Sequence, residues 1–174
     1  TGVFDGQGHT IRGLYYQTND SESGYALFGT NNGTIKNVGI ADTYFQAMSL
    51  LSGICSVNKG TIDNCFSFCT LKATRGGSQG GICSKNFGTV KNSFSAGKLL
   101  LVDNSKNYGG ICGYNMTEDN GTTYTPVVQN CYYLSGMAPS AVYQEEDKEN
   151  VKDMTAAQFK SGEVALLLNG GKTD

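Results

Sequence analysis

Apolar residues along this chain come in short runs, broken by Gly and Asn every five to eight residues, and the runs recur. Ala26-Leu-Phe-Gly-Thr-Asn-Asn-Gly-Thr-Ile-Lys-Asn-Val38 aligns without a gap on Gly53-Ile-Cys-Ser-Val-Asn-Lys-Gly-Thr-Ile-Asp-Asn-Cys65. It aligns equally on Gly81-Ile-Cys-Ser-Lys-Asn-Phe-Gly-Thr-Val-Lys-Asn-Ser93. A further copy starts at Gly109-Gly-Ile-Cys-Gly-Tyr-Asn115 and resumes at Val128-Gln-Asn-Cys131, and Gly8-His-Thr-Ile-Arg-Gly-Leu14 reads as a degenerate first copy. The apolar column Leu27, Ile54, Ile82, Ile111 advances by 27, 28 and 29 residues, and Ile35, Ile62, Val90, Val128 by 27, 28 and 38. The surplus in the last step falls in the polar run Thr117–Pro126, expected as a surface loop.

A repeat of this period marks a solenoid. Helical repeats need longer stretches of 3.6-residue periodicity than the Gly and Asn positions leave. Each unit instead holds three β-like pieces: Gly-Gly-Ile-Cys, then Gly-Thr-Ile-Lys-Asn-Cys-Phe-Ser, then a variable apolar piece such as Thr43-Tyr-Phe45 or Lys98–Val102. The expected fold is all-β: a right-handed parallel β-helix of four to five coils, the hand following the preference of parallel crossovers. The coils fall at about 1–24, 25–51, 52–79, 80–108 and 109–143.

Stacked coils turn equivalent residues into ladders. Asn31, Asn58, Asn86 and Asn115 form one, and Asn37, Asn64, Asn92 and Asn130 another. An Asn at a bend can bond the coils on either side and satisfy backbone that the strands leave unpaired. Gly33, Gly60 and Gly88 supply either a positive φ or a close approach. Arg12, Lys36, Asp63, Lys91 and Gln129 are expected as an outward column in which Asp63 separates two Lys. Phe28, Cys55, Cys83 and Cys112 form one inner column and Val38, Cys65, Ser93 and Cys131 another, so the Cys read as small buried apolar residues. Strict alternation would put Leu27 and Phe28 on opposite faces. Both columns are apolar, so a bend or bulge is expected between them.

After Leu134 the repeat ends. Residues 144–174 read as a charged loop, Gln144–Asn150, and a helical cap. Thr155-Ala-Ala-Gln158 is a capping box, and Ser161–Gly171 a second short helix stopped by Gly. Phe159, Val164, Leu167 and Leu168 are expected over the last coil, whose apolar end and open strand edges need cover.

Composition narrows the function classes. Thirteen Lys and Arg against fifteen Asp and Glu give a net charge of −2, which gathers neither nucleic acid nor anionic membrane. No apolar run approaches the length of a membrane span, so no insertion by this segment is expected. A strand pattern already running at Val3-Phe4, with no leader before it, suggests a monomeric segment of a longer chain. One His, without His-Glu-x-x-His or paired Cys-x-x-Cys, offers no metal site, and no cofactor is expected.

The copies Gly80–Ser93 and Gly109–Asn115 resemble the GLUG repeat of large bacterial surface proteins, including adhesin-like proteins and the non-catalytic region of some IgA-cleaving metallopeptidases. Phe4–Leu14 is similar to the start of such arrays, and Met154–Asn169 to the tail that follows them. The resemblance implies an extracellular or bacterial cell-surface setting. A non-catalytic stalk or adhesive module is therefore expected, whose partner would be a host or microbial glycan or a surface protein. Tyr108, Tyr114 and Tyr124 are the candidate ligand contacts, on or beside the loops 103–108 and 117–126. The alternative is a polysaccharide lyase or hydrolase, which would require Asp103, Glu118 and Asp119 to converge.

Overall fold

The computed structural model describes residues 2–19, 24–100, 102 and 107–172. It is a parallel β-solenoid of about four turns, with two short helices after it. Three sheets run along the stack. The broad face has nine strands: Val3–Arg12, Tyr15–Gln17, Thr34–Ala47, Thr61–Asp63, Phe66–Ala73, Thr89–Ser95, Lys98–Leu100, Val127–Leu134 and Val151–Met154. A second face stacks Phe28–Asn31, Cys55–Asn58, Cys83–Asn86 and Cys112–Asn115. A narrow third face stacks Leu51–Ser52, Ser78–Gly80 and Asn107–Gly109.

Register follows the repeat. Ile35 faces Ile62, Ile62 faces Val90, and Val90 faces Val128, each in parallel pairing. Along Phe66–Ala73 alternate residues are buried, so the interior is a column of like side chains from successive coils. Ile54, Ile62, Ile82, Val90 and Ile111 have no exposed surface, and burying each is worth roughly 1.5–3 kcal/mol. The expected bend between the two apolar columns is present. The N–H groups of Ile54 and Cys55 both donate to the Ile82 carbonyl, and those of Ile82 and Cys83 both donate to Ile111. One acceptor serving two successive donors turns the chain, so both side chains point inward.

Several expectations need correction. The variable apolar piece is not a separate face: Thr34–Ala47 runs on as one strand past a register shift near Asp42, whose φ is 51°. The third face is built from the residues just before the Gly-Gly-Ile-Cys bend. In the first coil Asp5, not Arg12, faces Lys36, because a register shift between Asp5 and His9, with positive φ at Gln7 and Gly8, moves the later residues along. Arg12 instead pairs with Ala41. The charged column is thus Asp5, Lys36, Asp63, Lys91, alternating in sign, with Lys36–Asp5 at 3.2 Å and Lys91–Asp63 at 3.3 Å. The Gly column serves close approach alone. A Cβ on Gly60 would lie 2.1 Å from the Gly33 carbonyl oxygen, and one on Gly88 2.0 Å from that of Gly60.

Stacking also continues beyond Leu134 and past the boundary at residue 143. Ile111 and Cys112 N–H donate to the Ala141 carbonyl, repeating the bend of the coils below, and Val151–Met154 pairs with Cys131–Leu134. Ala141, Val142 and Val151 close the interior at this end. With the end already covered, α1 (Ala156–Ser161) and α2 (Glu163–Leu168) lie on the flank instead. Val164 is buried against Tyr132 and Met154, with Phe94, Phe159 and Leu168 around them, while Leu167 stays 36% exposed. The Thr155–Gln158 capping box starts α1, and Gly162 at φ 83° separates the two helices.

Candidate functional site

Both Asn ladders form. In the inner one each carboxamide donates to the next coil: Asn31 Nδ2 to Asn58 Oδ1 at 2.8 Å, Asn58 to Asn86 and Asn86 to Asn115 at 2.9 Å. Asn115 then donates to Glu145 at 2.8 Å, so the stretch beyond the repeat supplies one more rung. Asn58 and Asn86 are fully buried. The outer ladder points the other way and sits at a left-handed bend, with φ 54°, 51°, 50° and 47° at Asn37, Asn64, Asn92 and Asn130. Asn tolerates that conformation better than other L-residues, which accounts for the column. Asn37 donates to Asp5, Asn64 to Asn37, Asn92 to Asp63 and Asn130 to Asn92. Asn37 is the first cause holding the Asp5 carboxyl below its ordinary range, ahead of the Gln7 backbone and Lys36.

The three candidate tyrosines do not gather; among the described residues no ring contact joins any two of them. Tyr108 stands in the narrow face, in register with Gln79. Tyr114 lies on the second face, 6.2 Å from the Tyr143 ring. Tyr124 makes an edge contact of 5.0 Å with Phe87. The polar insertion is a small hairpin, Glu118–Asp119 paired antiparallel with Thr122–Thr123 around Asn120-Gly121, both at positive φ. It folds back on the solenoid: Asp119 Oδ2 bonds Lys59 Nζ at 2.6 Å, and that ammonium lies 5.6 Å from the Phe87 ring centre and 6.0 Å from Tyr124. Tyr124 is therefore an anchor of the hairpin. Asn-Gly between Thr-rich flanks was the available hairpin signal.

Of the three carboxylates considered for catalysis, Glu118 and Asp119 are neighbours in that hairpin and Asp119 is bound to Lys59. Asp103 lies outside the described residues. Asp42 pairs with Arg12 at 2.7 Å, and Asp147 accepts from Tyr133 at 2.8 Å and from the Ala141 N–H at 2.7 Å. The six Cys are free and buried. Burial pushes the Cys65 and Cys69 thiols up to about 11 and Cys131 up to about 12, so all three stay protonated at neutral pH. Burial also raises Cys55 and Cys83. His9 is an exposed residue of the first strand, facing Val38.

The surface feature that sequence reasoning passed over lies on the broad face. Two positions after each outer Asn stand Gly39, Phe66, Phe94 and Tyr132, a ladder pointing outward. The Phe66 and Phe94 rings stack at 5.3 Å, and Phe68 meets them edge-on at 5.6 and 5.7 Å. Phe66 lies so close over Gly39 that a Cβ there would sit 2.0 Å from its ring. From α1, Phe159 reaches Phe94 at 5.7 Å. The aligned repeats already contained this column, although Gly and Tyr at its ends hide its aromatic character. No family model matches the chain, and comparison with curated proteins and with solved structures finds no match.

Proposed function

We propose that this chain is a non-catalytic module of a bacterial surface protein, serving as a stalk or adhesive segment that presents its sides to a glycan or protein. One observation supports the reading: two stacked columns of polar side chains are engaged in holding coil to coil. The inner Asn ladder runs from Asn31 to Glu145, and Asp5, Lys36, Asp63 and Lys91 pair along the broad face. Such bonds stiffen a column and leave its flanks for contact. A GLUG-like origin and an extracellular setting belong to the same proposal and rest on the motifs Gly80–Ser93 and Gly109–Asn115.

The test is binding of the purified chain to arrays of host and microbial glycans and of surface proteins, with and without calcium, followed by product analysis on any glycan bound. Retention without turnover is the expected result. A cleaved glycan would replace the module with the glycan-active alternative.

A further inference from the structure

The two terminal helices do not lie flat on the broad face. They rest on Tyr132 and Phe94 and leave a groove of about 530 Å³ between themselves and the solenoid, within the roughly 300–1,000 Å³ typical of small-molecule sites. Its apolar walls are Phe68, Phe94, Phe159, Val164 and Leu168. Three of these are rings from three separate elements, the strands Phe66–Ala73 and Thr89–Ser95 on one side and α1 on the other. Phe68 stays 42% exposed.

Three polar residues line the rim, and one of them, Asn169, already donates its amide to the Lys172 carbonyl at 2.9 Å. Lys160 is the charged residue lining the groove, and among the described residues it forms no ion pair. Asn64 also lines it, and here the outer ladder misses a rung. Asn92 turns its amide to Asp63 Oδ1 rather than to Asn64, so the Asn64 carbonyl oxygen takes no ladder donor. Among the described residues the groove thus combines aromatic walls, an exposed cation outside any ion pair and an exposed Asn64 carbonyl that takes no ladder bond.

We propose that this groove is a binding site for a small aromatic carboxylate. Its ring lies among Phe68, Phe94 and Phe159, where offset and edge contacts favour an aromatic over an aliphatic body. Its carboxylate faces Lys160, and a hydroxyl or N–H on the ligand fills the missing rung at Asn64. A cationic ligand is disfavoured, since among the described residues no carboxylate lines the groove to receive it. The site is independent of the surface-module reading: arrays of glycans and surface proteins test that reading and leave the groove untouched.

The experiment is an amide-NMR titration of the chain with naphthoate, with octanoate and the uncharged naphthamide in parallel. Saturable shifts at Lys160, Ala165 and Asn169 are expected with naphthoate, with binding about tenfold weaker for octanoate and about threefold weaker for naphthamide. Phe68→Ser removes an exposed ring without opening the core and should weaken naphthoate about tenfold. Lys160→Gln should weaken it less, and more so at low salt. A ring hydroxyl should tighten binding, a gain that Asn64→Gly, which keeps the left-handed bend, should abolish. Both ring and charge variants are checked for an unchanged melting point. Absence of shifts up to the solubility limit would overturn the proposal, as would equal affinity for octanoate or naphthamide, or shifts that persist unchanged in Phe68→Ser.

Discussion

If the inner Asn ladder holds the coils together, one substitution in its middle should be felt by the whole solenoid. Asn58 has no exposed surface. Its side chain accepts from Asn31 Nδ2 at 2.8 Å and from the Gly60 N–H at 3.3 Å, and donates to Asn86 Oδ1 at 2.9 Å and the Thr89 carbonyl at 3.2 Å. In Asn58→Ala, Asn31 Nδ2 keeps the Thr61 carbonyl at 3.1 Å, but Asn86 Oδ1 and the Gly60 N–H lose their partners. Each orphaned group costs about 1–3 kcal/mol, so the variant should lose about 2–6 kcal/mol. For a domain of this size that corresponds to a drop in melting temperature of roughly 4–24 °C. The comparison is Asn64→Gly, which removes one exposed bond to Asn37 at 2.8 Å and tolerates the positive φ, and should cost no more than about 1 kcal/mol. Urea and thermal unfolding followed by circular dichroism measure both, with an unchanged denaturant slope confirming that stability alone has moved. Equal shifts for the two variants would refute the reasoning, because burial of the inner ladder is what separates them.

Three further perturbations follow from the same geometry. Gly60→Ala places a Cβ against the Gly33 carbonyl oxygen, which is backbone and cannot swing away, so the adjoining coils must part; a loss of about 3 kcal/mol in urea unfolding is expected, against near-neutrality for Gly2→Ala, where the space is open. Cys65, Cys69 and Cys131 have folded pKa values raised by burial above the ordinary 9.0, to about 11 for Cys65 and Cys69 and about 12 for Cys131, so their neutral form stabilises the fold fully below pH 9. That contribution is lost as pH rises through 11 and 12, joined by Tyr133, whose phenol is held up by burial and by Asp147. Urea midpoints measured up the alkaline range should be flat and then fall, with a thiol reagent labelling six Cys in urea and none in the native chain at neutral pH. Lastly, Asp119→Asn releases Lys59 from a pair whose side chains are 27% and 30% exposed and which is worth about 1 kcal/mol, so melting should change little while proteolytic nicking at Asn120-Gly121 rises.

The ladders were legible in the sequence because a solenoid stacks equal positions and three gapless copies define the columns. Ile35, Ile62, Val90 and Val128, and both sets of Asn, fall in register as the alignment demands. What periodicity could not give lies where the copies lose their shared spacing. A register shift with left-handed residues at Gln7 and Gly8 moves Asp5 into the place expected for Arg12, and no count of residues from Gly8 onward finds it. The partial turn after Leu134 has Ala141 where earlier coils have Ile, and Glu145 where they have Asn. Only the backbone bonds reveal that equivalence.

The candidate sites divided along the same line. Tyr108, Tyr114 and Tyr124 were chosen by residue type, and type alone does not say which side chain the insertion needs for its own docking; Tyr124 meets that need on Phe87. The flank groove depends on Phe68 and Phe94 meeting Phe159 and Lys160, residues about 65 to 90 positions apart in the chain. A cap laid over the end of the stack would have buried none of those strand residues. The groove exists because Ala141, Val142 and Val151 close the interior first, so that the helices that follow settle on the outward Phe94 and Tyr132. A variant that disrupts this closure, Val151→Asp, should therefore loosen α1 and α2 as well as the last turn. Their amide exchange should accelerate together. Exchange confined to the last turn, with the helices still protected, would show that the flank seat stands without it.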